Sequence, residues 1–505
     1  MQVNSICILG GGTSGFATAS VFARYKELSG LDFNIRVIHS EEIGTVGVGE
    51  STIFSIRELF YYLGLKDKDW MPQCNATYKT SVRFENFYKQ GRYFYYPFGP
   101  GDLSANEIDW WINKELYPDV FTPERASLYF SPQSMLNEEN RLADDYVENN
   151  AAYHFDSHLM GEFFKKYCEE RGVEIINDTY LGGVRVKDAN AERYGDLESI
   201  GCENGTYAAD LFVDCTGFKS LLLGDQMGEK YISFSDTLIN NKALVAKVPY
   251  VDKDKQLKNY TNSVALKNGW IWETPLWDCM AYGYVHTNKF ATEEEIEQEF
   301  FEHVGQVDYK TVHFKTGRRE RAWVRNVVAV GLSYGFLEPL EATGIATTIE
   351  NCFRLLEALS KRDMNVTQID KDIFNSAVEK RVDGYRYFIE RHYYFSSRDD
   401  SRYWRYLTED ITYYHAENFL RRMVRDKIIG EVYYDDKGQE CLSGDLYVIA
   451  GMNHTPFSKA FTLYNNKKNE KASVDFKLGI KRSQEYARQL PSSYRYLRDR
   501  YKEWK

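Results

Sequence analysis

The sequence lacks the features of several protein classes. It contains no apolar run near the roughly 18 residues that a membrane-spanning helix requires. Its 8 cysteines are scattered and form no Cys-x-x-Cys pair, so neither a zinc site nor a disulfide framework is indicated. Acidic residues outnumber basic ones by 74 to 63, and the formal net charge of -11 argues against a nucleic-acid surface. We therefore expect no metal, no nucleic-acid partner and no membrane segment.

Two further absences concern processing and repetition. The first strand pattern begins about five residues after Met1, which leaves no room for a leader peptide. No internal repeat or low-complexity tract is visible. Together with the unpaired cysteines, these absences favour a cytoplasmic protein, and the sequence leaves open whether the chain forms a homo-oligomer.

Aromatic residues, by contrast, are abundant. They make up 15% of the chain, with 39 Tyr, 30 Phe and 9 Trp. Such a content suits a protein that holds a flat ring, and it equally suits a protein with an aromatic core. The 505 residues can bury a large core, and this length suggests about two to four domains.

A glycine-rich loop near the N-terminus is the most informative stretch. Residues 6–9 form an apolar run that predicts a strand, and small residues from Ala17 onward predict a helix. Between them, Gly10, Gly12 and Gly15 have the spacing of a dinucleotide-binding fingerprint. Gly10 permits the tight turn, Gly12 lets the backbone approach a pyrophosphate, and Gly15 lets the helix pack closely on the strand. This order of elements predicts a Rossmann-like unit.

Two later segments also bear on a bound nucleotide. Residues 33–38 predict the second strand, after which an acidic residue commonly binds the ribose hydroxyls. Here His39 follows the strand and Glu41 comes later, so Glu41 is either a ribose ligand or a solvated charge. The loop 44–52 contains Gly44, Gly47 and Gly49 and little charge, which predicts a close approach of its backbone to a ligand.

A second loop leads into a long helix. Residues 327–330 predict a strand, and apolar residues at helical spacing from Ile345 onward predict a helix. Thr343 and Gly344 would then lie at the helix N-terminus, where free N–H groups and the helix dipole favour an anion. The candidates are a halide, a charged carbonyl of a cofactor, and the side chain of Glu341 acting as a cap.

Two motifs have an ordinary structural interpretation as well as a functional one. Trp270 and Trp272 alternate on a predicted strand that ends at Pro275, so their indoles share one face. By itself this pattern is typical of an aromatic core. Lys79 lies in the predicted extended segment 78–84, where a lysine is ordinarily a solvated side chain.

Together these motifs resemble those of the flavin-dependent halogenases, specifically the tryptophan-halogenase-like family. The likeness runs through most of the chain and rests on Gly10-x-Gly12-x-x-Gly15, Gly47-Val48-Gly49-Glu50, Lys79, Tyr153-His154-Phe155-Asp156, Asp214-x-Thr216-Gly217, Trp270-x-Trp272-x-x-Pro275, Gly335-Phe336-Leu337-Glu338-Pro339-Leu340-Glu341-Ala342-Thr343-Gly344, His392-Tyr393 and Trp404. Agreement at so many ordered positions makes the resemblance specific.

The resemblance implies an α/β fold, in which a Rossmann-like FAD-binding module of the flavin monooxygenase type carries a mostly helical substrate module. We place the FAD-binding module at 1–350, interrupted by a substrate-side insertion at about 85–150, and the helical module at 351–505. FAD, used as FADH2, would be bound by Gly10, Gly12, Thr13, Ser14, Gly15, Ser40, Glu41, Gly47, Val48, Gly49, Glu50, Gly331, Leu340 and Ile345.

The resemblance also implies the chemistry. Reduced flavin and dioxygen would convert halide, bound by the backbone amides of Thr343 and Gly344, into hypohalous acid. This acid would pass to a separate aromatic pocket. There Lys79 would hydrogen-bond it or form a haloamine, and Glu341 would orient the electrophile or accept the proton lost from the ring.

The remaining implied roles concern the substrate and the electron supply. The substrate pocket would be lined by Tyr96, Phe98, His392 and Tyr447. The motif of Trp270, Trp272 and Pro275 would keep the substrate away from the flavin. No second glycine fingerprint for a nicotinamide cofactor is visible, so FADH2 would come from a separate flavin reductase.

Several positions depart from the family pattern. The family's His-x-Phe-Gly, which lies against the substrate indole, reads Tyr96-Pro97-Phe98-Gly99, and its WxWxIP has Thr274 in place of Ile. The resemblance therefore implies an electron-rich arene, indole- or phenol-like, and does not carry free tryptophan over as the substrate.

Two other functions remain to be weighed against halogenation. The first is an aromatic monooxygenase that uses flavin, and halide dependence of the product would distinguish it. The second is a flavin-binding protein without catalysis, against which the presence of both Lys79 and Glu341 argues.

Overall fold

A computed structural model describes residues 1–42, 49–99, 107–185, 195–413, 444–455 and 470–504. The strands within these residues are β1 (Ser5–Leu9), β2 (Asn34–His39), β3 (Gly49–Ser51), β4 (Thr77–Lys79), β5 (Ser81–Glu85), β6 (Tyr93–Pro97), β7 (Ala152–Asp156), β8 (Glu174–Asn177), β9 (Tyr180–Arg185), β10 (Leu197–Cys202), β11 (Thr206–Ala208), β12 (Leu211–Asp214), β13 (Tyr231–Ser233), β14 (Lys242–Pro249), β15 (Tyr260–Ala265), β16 (Gly269–Pro275), β17 (Cys279–His286), β18 (Lys310–His313), β19 (Gly317–Arg319), β20 (Trp323–Val324), β21 (Val327–Ala329) and β22 (Gly335–Phe336).

The α-helices of the same residues are α1 (Thr13–Ser29), α2 (Ile56–Leu63), α3 (Asp67–Trp70), α4 (Glu107–Leu116), α5 (Ala126–Phe130), α6 (Met135–Glu138), α7 (Asp144–Asn150), α8 (Ser157–Glu169), α9 (Lys253–Gln256), α10 (Glu293–Val304), α11 (Thr343–Ser360), α12 (Gln368–Tyr394), α13 (Arg402–Arg405), α14 (Asp445–Gly451), α15 (Glu470–Ala487) and α16 (Ser493–Glu503).

A six-stranded sheet forms the nucleotide-binding unit. Its order is β20-β21-β12-β1-β2-β8, and all neighbours except β20 and β21 are parallel. The strand β1 has the burial expected of a central parallel strand, because residues 6–9 are all buried. The helix α1 packs against α8 and α11. This arrangement confirms the predicted strand–glycine turn–helix order and the Rossmann-like fold.

A seven-stranded sheet carries the tryptophan motif. Its order is β18-β14-β17-β16-β15-β5-β6, and only β15 and β5 run parallel. Trp270 and Trp272 both belong to the large hydrophobic core, whereas Ile271 between them lies in a second core cluster on the other side. The predicted shared face of the two indoles is therefore confirmed.

A small three-stranded sheet positions the predicted catalytic lysine. Its order is β3-β7-β4, and Lys79 at the end of β4 pairs with Ala152 of β7. The segment predicted as extended at 78–84 is thus divided between β4 and β5, which belong to different sheets. The break at Thr80 turns the chain from one sheet to the other.

Within the described residues beyond 350, the secondary structure consists of helices and turns. The helix α11 runs from Thr343 to Ser360 and so crosses the division that we predicted at 350. The predicted insertion at 85–150 supplies β6 and the helices α4 to α7. The division into two modules itself stays a prediction. None of the helices in the described part of the chain is both long and apolar enough to cross a membrane.

Candidate functional site

The glycine loop is shaped by contacts that admit no side chain. Gly10 has a φ of 113°, and a Cβ there would lie 2.3 Å from the carbonyl oxygen of Cys215. A Cβ on Gly15 would lie 1.9 Å from the carbonyl oxygen of Gly10. Gly12 precedes α1, and in the described part of the chain no side chain caps this helix. The N-terminus of α1 therefore has open N–H groups of the kind that bind a pyrophosphate.

The end of β21 meets this loop. Gly331 has a φ of 74°, and a Cβ there would lie 2.5 Å from Oγ of Ser14. Thr13 donates a hydrogen bond from Oγ1 to the carbonyl of Ser157 at 2.9 Å, which ties the start of α1 to α8. The structure thus brings together four of the predicted cofactor residues, Gly10, Thr13, Ser14 and Gly331. Because the cradle leaves no space for larger side chains and has open N–H groups, its residues fit a dinucleotide such as FAD.

Four other predicted cofactor residues follow or belong to neighbouring strands, with Ser40 and Glu41 directly after β2 and Gly49 and Glu50 in β3. The hydroxyl groups of Ser40 and Thr179 are 3.2 Å apart, while the side chain of Glu41 is exposed. A Cβ on Gly49 would lie 2.5 Å from Cβ of Ala281, so Gly49 packs on the large sheet. Burial raises the pKa of Glu50 to about 7, and the nearby charge of Asp156 adds to this rise. Gly47 and Val48 lie outside the described residues.

Lys79 is a buried lysine without a partner among the described residues. Its side chain is 0% exposed, and its ammonium forms no hydrogen bond with any of them. Burial lowers its pKa to about 7, and the carboxylate of Glu341 opposes this fall. The surface interpretation of this lysine is therefore wrong. An unpaired, desolvated amine is costly to bury, and such groups are concentrated at functional sites.

The ring of Phe98 lies beside the ammonium of Lys79, and two further rings extend from it. Nζ of Lys79 lies 4.9 Å from the ring centroid of Phe98. The ring of Tyr96 lies 5.9 Å from that of Phe98 and 5.7 Å from that of Tyr447. Three of the four predicted pocket residues therefore cluster with the predicted catalytic lysine, although β4, β6 and α14 are far apart in the sequence.

The fourth predicted pocket residue, His392, lies against Glu341. The two side chains are 0% and 3% exposed, and Nε2 of His392 is 2.7 Å from Oε1 of Glu341. This is an ion-pair distance, but the angles are not those of a hydrogen bond. The sequence analysis did not foresee this pair, because the two residues are about fifty positions apart and no local pattern joins them.

The N-terminus of α11 lies directly after Glu341 and Ala342 in the sequence. Ala342 precedes the helix in the left-handed conformation, and no side chain among the described residues caps it, so Glu341 does not serve as the cap. Thr343 is buried and Gly344 is exposed, and none of the described atoms lies within 4 Å of the position that a Cβ on Gly344 would take. Leu340 is buried and Ile345 half-buried beside them. The first turn of this long helix is thus open to an anion.

The tryptophan motif is anchored by a carboxylate that we did not select from the sequence. Oε2 of the buried Glu338 accepts hydrogen bonds from Nδ2 of Asn240 at 2.9 Å, Nε1 of Trp270 at 3.2 Å and the hydroxyl of Tyr393 at 2.5 Å. Burial raises the pKa of Glu338, and these donors oppose the rise. Glu338 thereby joins the strand β16 to the loop that carries Glu341.

Trp272 and Pro275 are also fixed by close contacts. A Cβ on Gly283 would lie 2.1 Å from the indole of Trp272, so a glycine on the facing strand makes room for the ring. Pro275 ends β16 as predicted, and its carbonyl accepts a hydrogen bond from the hydroxyl of Thr77, two residues before Lys79. The tryptophan strand is therefore tied both to β4, which carries Lys79, and to the loop that carries Glu341.

We expect the Glu338→Leu variant to be less stable than the wild type by about 3 kcal/mol or more, because three buried donors lose their acceptor. The Glu338→Gln variant, which keeps an acceptor oxygen, should lose about 1 kcal/mol. Urea unfolding measures the loss of stability in both variants, and near-ultraviolet circular dichroism reports changes in the packing around the indole of Trp270. Equal stability of the two variants would contradict the anchoring role.

Comparisons with known proteins agree with this geometry. The model of the tryptophan halogenase family matches residues 5–460. The 7-chloro-L-tryptophan 6-halogenase KtzR of Kutzneria sp. (strain 744) is 36% identical over 429 residues, which cover 79% of this chain and 80% of that protein. Among solved structures, VirX1 without ligand has 34% identity and a TM-score of 0.88, and the match covers 99% of each chain.

A third comparison is with a protein whose cofactor is named. Xcc4156, a flavin-dependent halogenase from Xanthomonas campestris, is 25% identical with a TM-score of 0.84, and the match covers 99% of this chain and 98% of that one. The likeness therefore spans the glycine cradle, the tryptophan strand and the loop of Glu341 together. The chain belongs to the tryptophan halogenase family, and it is a flavin-dependent halogenase.

Proposed function

We propose that this halogenase uses FADH2, dioxygen and a halide to form hypohalous acid, and that it halogenates an electron-rich indole- or phenol-like ring by electrophilic substitution. The observation that carries this proposal is the ammonium of Lys79, which forms no hydrogen bond with a described residue and is fully buried beside the ring of Phe98 and within the electrostatic reach of Glu341. A protein core gains nothing from such a group, so we assign it to chemistry.

The glycine cradle would hold the cofactor. Its pyrophosphate would lie at the N-terminus of α1, with Gly10 and Gly15 packed too closely to admit side chains. When bound, reduced flavin supplies with dioxygen the oxidising equivalents that convert halide into hypohalous acid, and water and FAD are the other products. The halide would bind at the amides of Thr343 and Gly344, where no described side chain caps α11.

Lys79 would then act on hypohalous acid. Its protonated form donates a hydrogen bond to the acid, polarises the oxygen–halogen bond and helps the oxygen leave as water. A pKa near 7 also allows the neutral amine, which can carry the halogen as a haloamine. In either case ArH and HOX give ArX and water, with Ar the aromatic ring and X the halogen.

Glu341 would accept the ring proton. As the halogen bonds to the ring carbon, the C–H bond breaks, its electron pair restores the aromatic ring, and the proton goes to the carboxylate. A carboxylate within the reach of Lys79 is suited to this step, because both groups must approach the same ring carbon.

Tyr96, Phe98 and Tyr447 would form the wall of the substrate pocket. The ring of Tyr96 lies within 6 Å of the rings of Phe98 and Tyr447, and flat rings favour a flat, electron-rich substrate. KtzR is named for a chlorinated tryptophan, so an indole is a suitable first test. We also propose that a separate flavin reductase supplies FADH2.

A product assay tests this function. Mass spectrometry would follow the full-length protein with FAD, a flavin reductase and its nicotinamide, and one indole or one phenol, with chloride, bromide and iodide in separate reactions. We expect a mass gain of one halogen that requires the halide, the reductase and oxygen.

The control for this assay is the Lys79→Ala variant, which should bind flavin and give no halogenated product. Insertion of oxygen into the ring without halide would instead establish a monooxygenase. Absence of product with bound flavin and a broad panel of arenes would contradict the proposed function.

A further inference from the structure

Two glycines of α14 receive two aromatic rings of β6. A Cβ on Gly444, which directly precedes the helix, would lie 2.7 Å from Cζ of Tyr96. A Cβ on Gly451, about two helical turns further on, would lie 2.3 Å from the ring of Phe94. Phe94 and Tyr96 alternate along β6 and so share one face of the strand. The helix therefore packs on β6 at a distance that only glycines at these two positions allow.

The contact, rather than the backbone, requires glycine at position 444. Gly444 has a φ of -66°, which any residue adopts. The atoms that meet its missing side chain are the far ends of two rings, namely Cζ and the hydroxyl of Tyr96 at 2.7 Å and 2.8 Å, and Cζ of Phe388 at 2.6 Å. A methyl group at this position must displace either these rings or the helix itself.

The helix is held in place from its other side. Asp445, the residue after Gly444, forms a buried ion pair with Arg391 of α12. Movement of α14 away from β6 would pull on this pair, and separation of a buried pair costs more than a change in the side-chain torsion angles of one ring. We therefore expect an added methyl group at position 444 to displace the ring of Tyr96 and to leave α14 where it is.

The ring of Tyr96 forms a corner with the ring of Phe98. The two ring planes are 84° apart, with centroids separated by 5.9 Å. Phe98 lies beside Nζ of Lys79, and its amide donates a hydrogen bond to the carbonyl of Thr80 at 2.9 Å, which holds it next to the lysine. A flat arene parallel to one ring of the corner meets the other ring edge-on, and aromatic pairs favour both arrangements. The corner would thus fix the plane of the arene and its rotation within that plane.

We propose that Gly444 is a positioning residue that leaves room for the ring of Tyr96 and thereby determines which carbon of the arene faces Lys79 and is halogenated. This inference rests on the proposed function and adds to it a determinant of regiochemistry. Gly451 receives Phe94, which is not part of the corner, so its role is confined to the packing of α14.

The isomer ratio of the product tests this role. The full-length enzyme would halogenate an indole with several reactive carbons, and chromatography with mass spectrometry would resolve the isomers. We expect Gly444→Ala to lower the ratio of the major isomer to the next by about 10-fold or more, since a shift by one methyl group changes discrimination by about this factor.

Gly451→Ala is the matched control for this variant. It adds the same methyl group to the same helix, against Phe94 in place of Tyr96. We expect it to lower stability, measured by urea unfolding, and to keep the isomer ratio of the wild type. An unchanged ratio in Gly444→Ala, or an equal change in the two variants, would overturn the proposal.

The Tyr96→Val background separates the ring of Tyr96 from the rest of the structure. Once this ring is removed, an alanine at position 444 still presses on Phe388 but has no tyrosine to displace. We expect the double variant to give the same isomer ratio as Tyr96→Val alone, because the two substitutions act through one contact. A further change of the ratio in the double variant would show that position 444 acts by another route and would contradict the proposal.

These tests distinguish the failure of this inference from that of the proposed function. If halogenation proceeds and Gly444→Ala keeps the ratio, the proposed function stands and the role of Gly444 is rejected. If the wild type halogenates no arene, the proposed function fails, and calorimetry with indole still tests the corner. Gly444→Ala should then bind indole about 10-fold more weakly than the wild type and Gly451→Ala do. Equal binding by the three proteins, or no binding by the wild type, would overturn the inference.

Discussion

The Lys79→Met variant should lose halogenation by about 1,000-fold or more while it still binds FAD. The methionine fills nearly the same volume beside Phe98, but it neither donates a hydrogen bond nor carries a halogen. The flavin cradle involves other elements, so its affinity should not change. Single-turnover product formation and flavin titration measure the two properties. Substantial halogenation by this variant would exclude Lys79 as the catalytic residue.

The same Lys79→Met substitution should raise the stability of the folded protein, although it abolishes activity. Burial lowers the pKa of Lys79 from 10.5 to about 7, so the unfolded chain binds more protons than the folded one between these values. The lysine therefore destabilises the fold fully below about pH 7, and the cost declines as the pH rises towards 10.5. We expect flavin-free Lys79→Met to melt higher than the wild type near pH 7, with a smaller difference near pH 10. The control is Lys255→Met at an exposed lysine, which should change neither activity nor this pH dependence.

The Gly15→Ala variant should lose bound flavin and with it all halogenation. A Cβ at this position would lie 1.9 Å from the carbonyl oxygen of Gly10, so the helix α1 must move away from the glycine turn. This movement withdraws the N–H groups that would bind the pyrophosphate, and it also strains the core beneath the turn. Flavin retention on purification and a fluorescence titration with FAD measure the loss, which we expect to exceed about 100-fold in affinity, or about 2.7 kcal/mol.

Gly161→Ala is the matched control for that variant. Gly161 lies on α8, and a Cβ there would meet Thr13 of the same turn at 3.7 Å, which is an ordinary contact. We expect this variant to keep its flavin. Equal flavin binding by the two variants would show that the close approach of Gly15 does not shape the cofactor site.

Local patterns sufficed to predict much of the fold. The glycine spacing, the apolar run before it and the small residues after it predicted β1, the turn and α1. The alternating tryptophans predicted a strand with one aromatic face, and the helical spacing after Gly344 predicted α11. These features depend on neighbours within a few residues, where steric preferences and periodicity act directly.

The chemistry of single residues was harder to predict from pattern alone. A lysine in an extended segment is ordinarily solvated, and only the resemblance to a known family marked Lys79 as catalytic. The structure explains why a pattern cannot decide this. The desolvation of Lys79 comes from β7 and from the ring of Phe98, which are distant in sequence, so the burial of its charge is a property of the packed fold.

Sequence patterns alone predicted the Rossmann-like unit, the glycine turn and the tryptophan strand, and the family resemblance of the sequence added Lys79 and Glu341 as catalytic candidates. Only the tertiary structure placed His392 against Glu341, Glu338 under Trp270, and Asp445 beside Arg391. These pairs join residues on separate elements, and their strength comes from the exclusion of water by the whole core. No local sequence pattern predicts which elements will pack together and exclude water from these pairs.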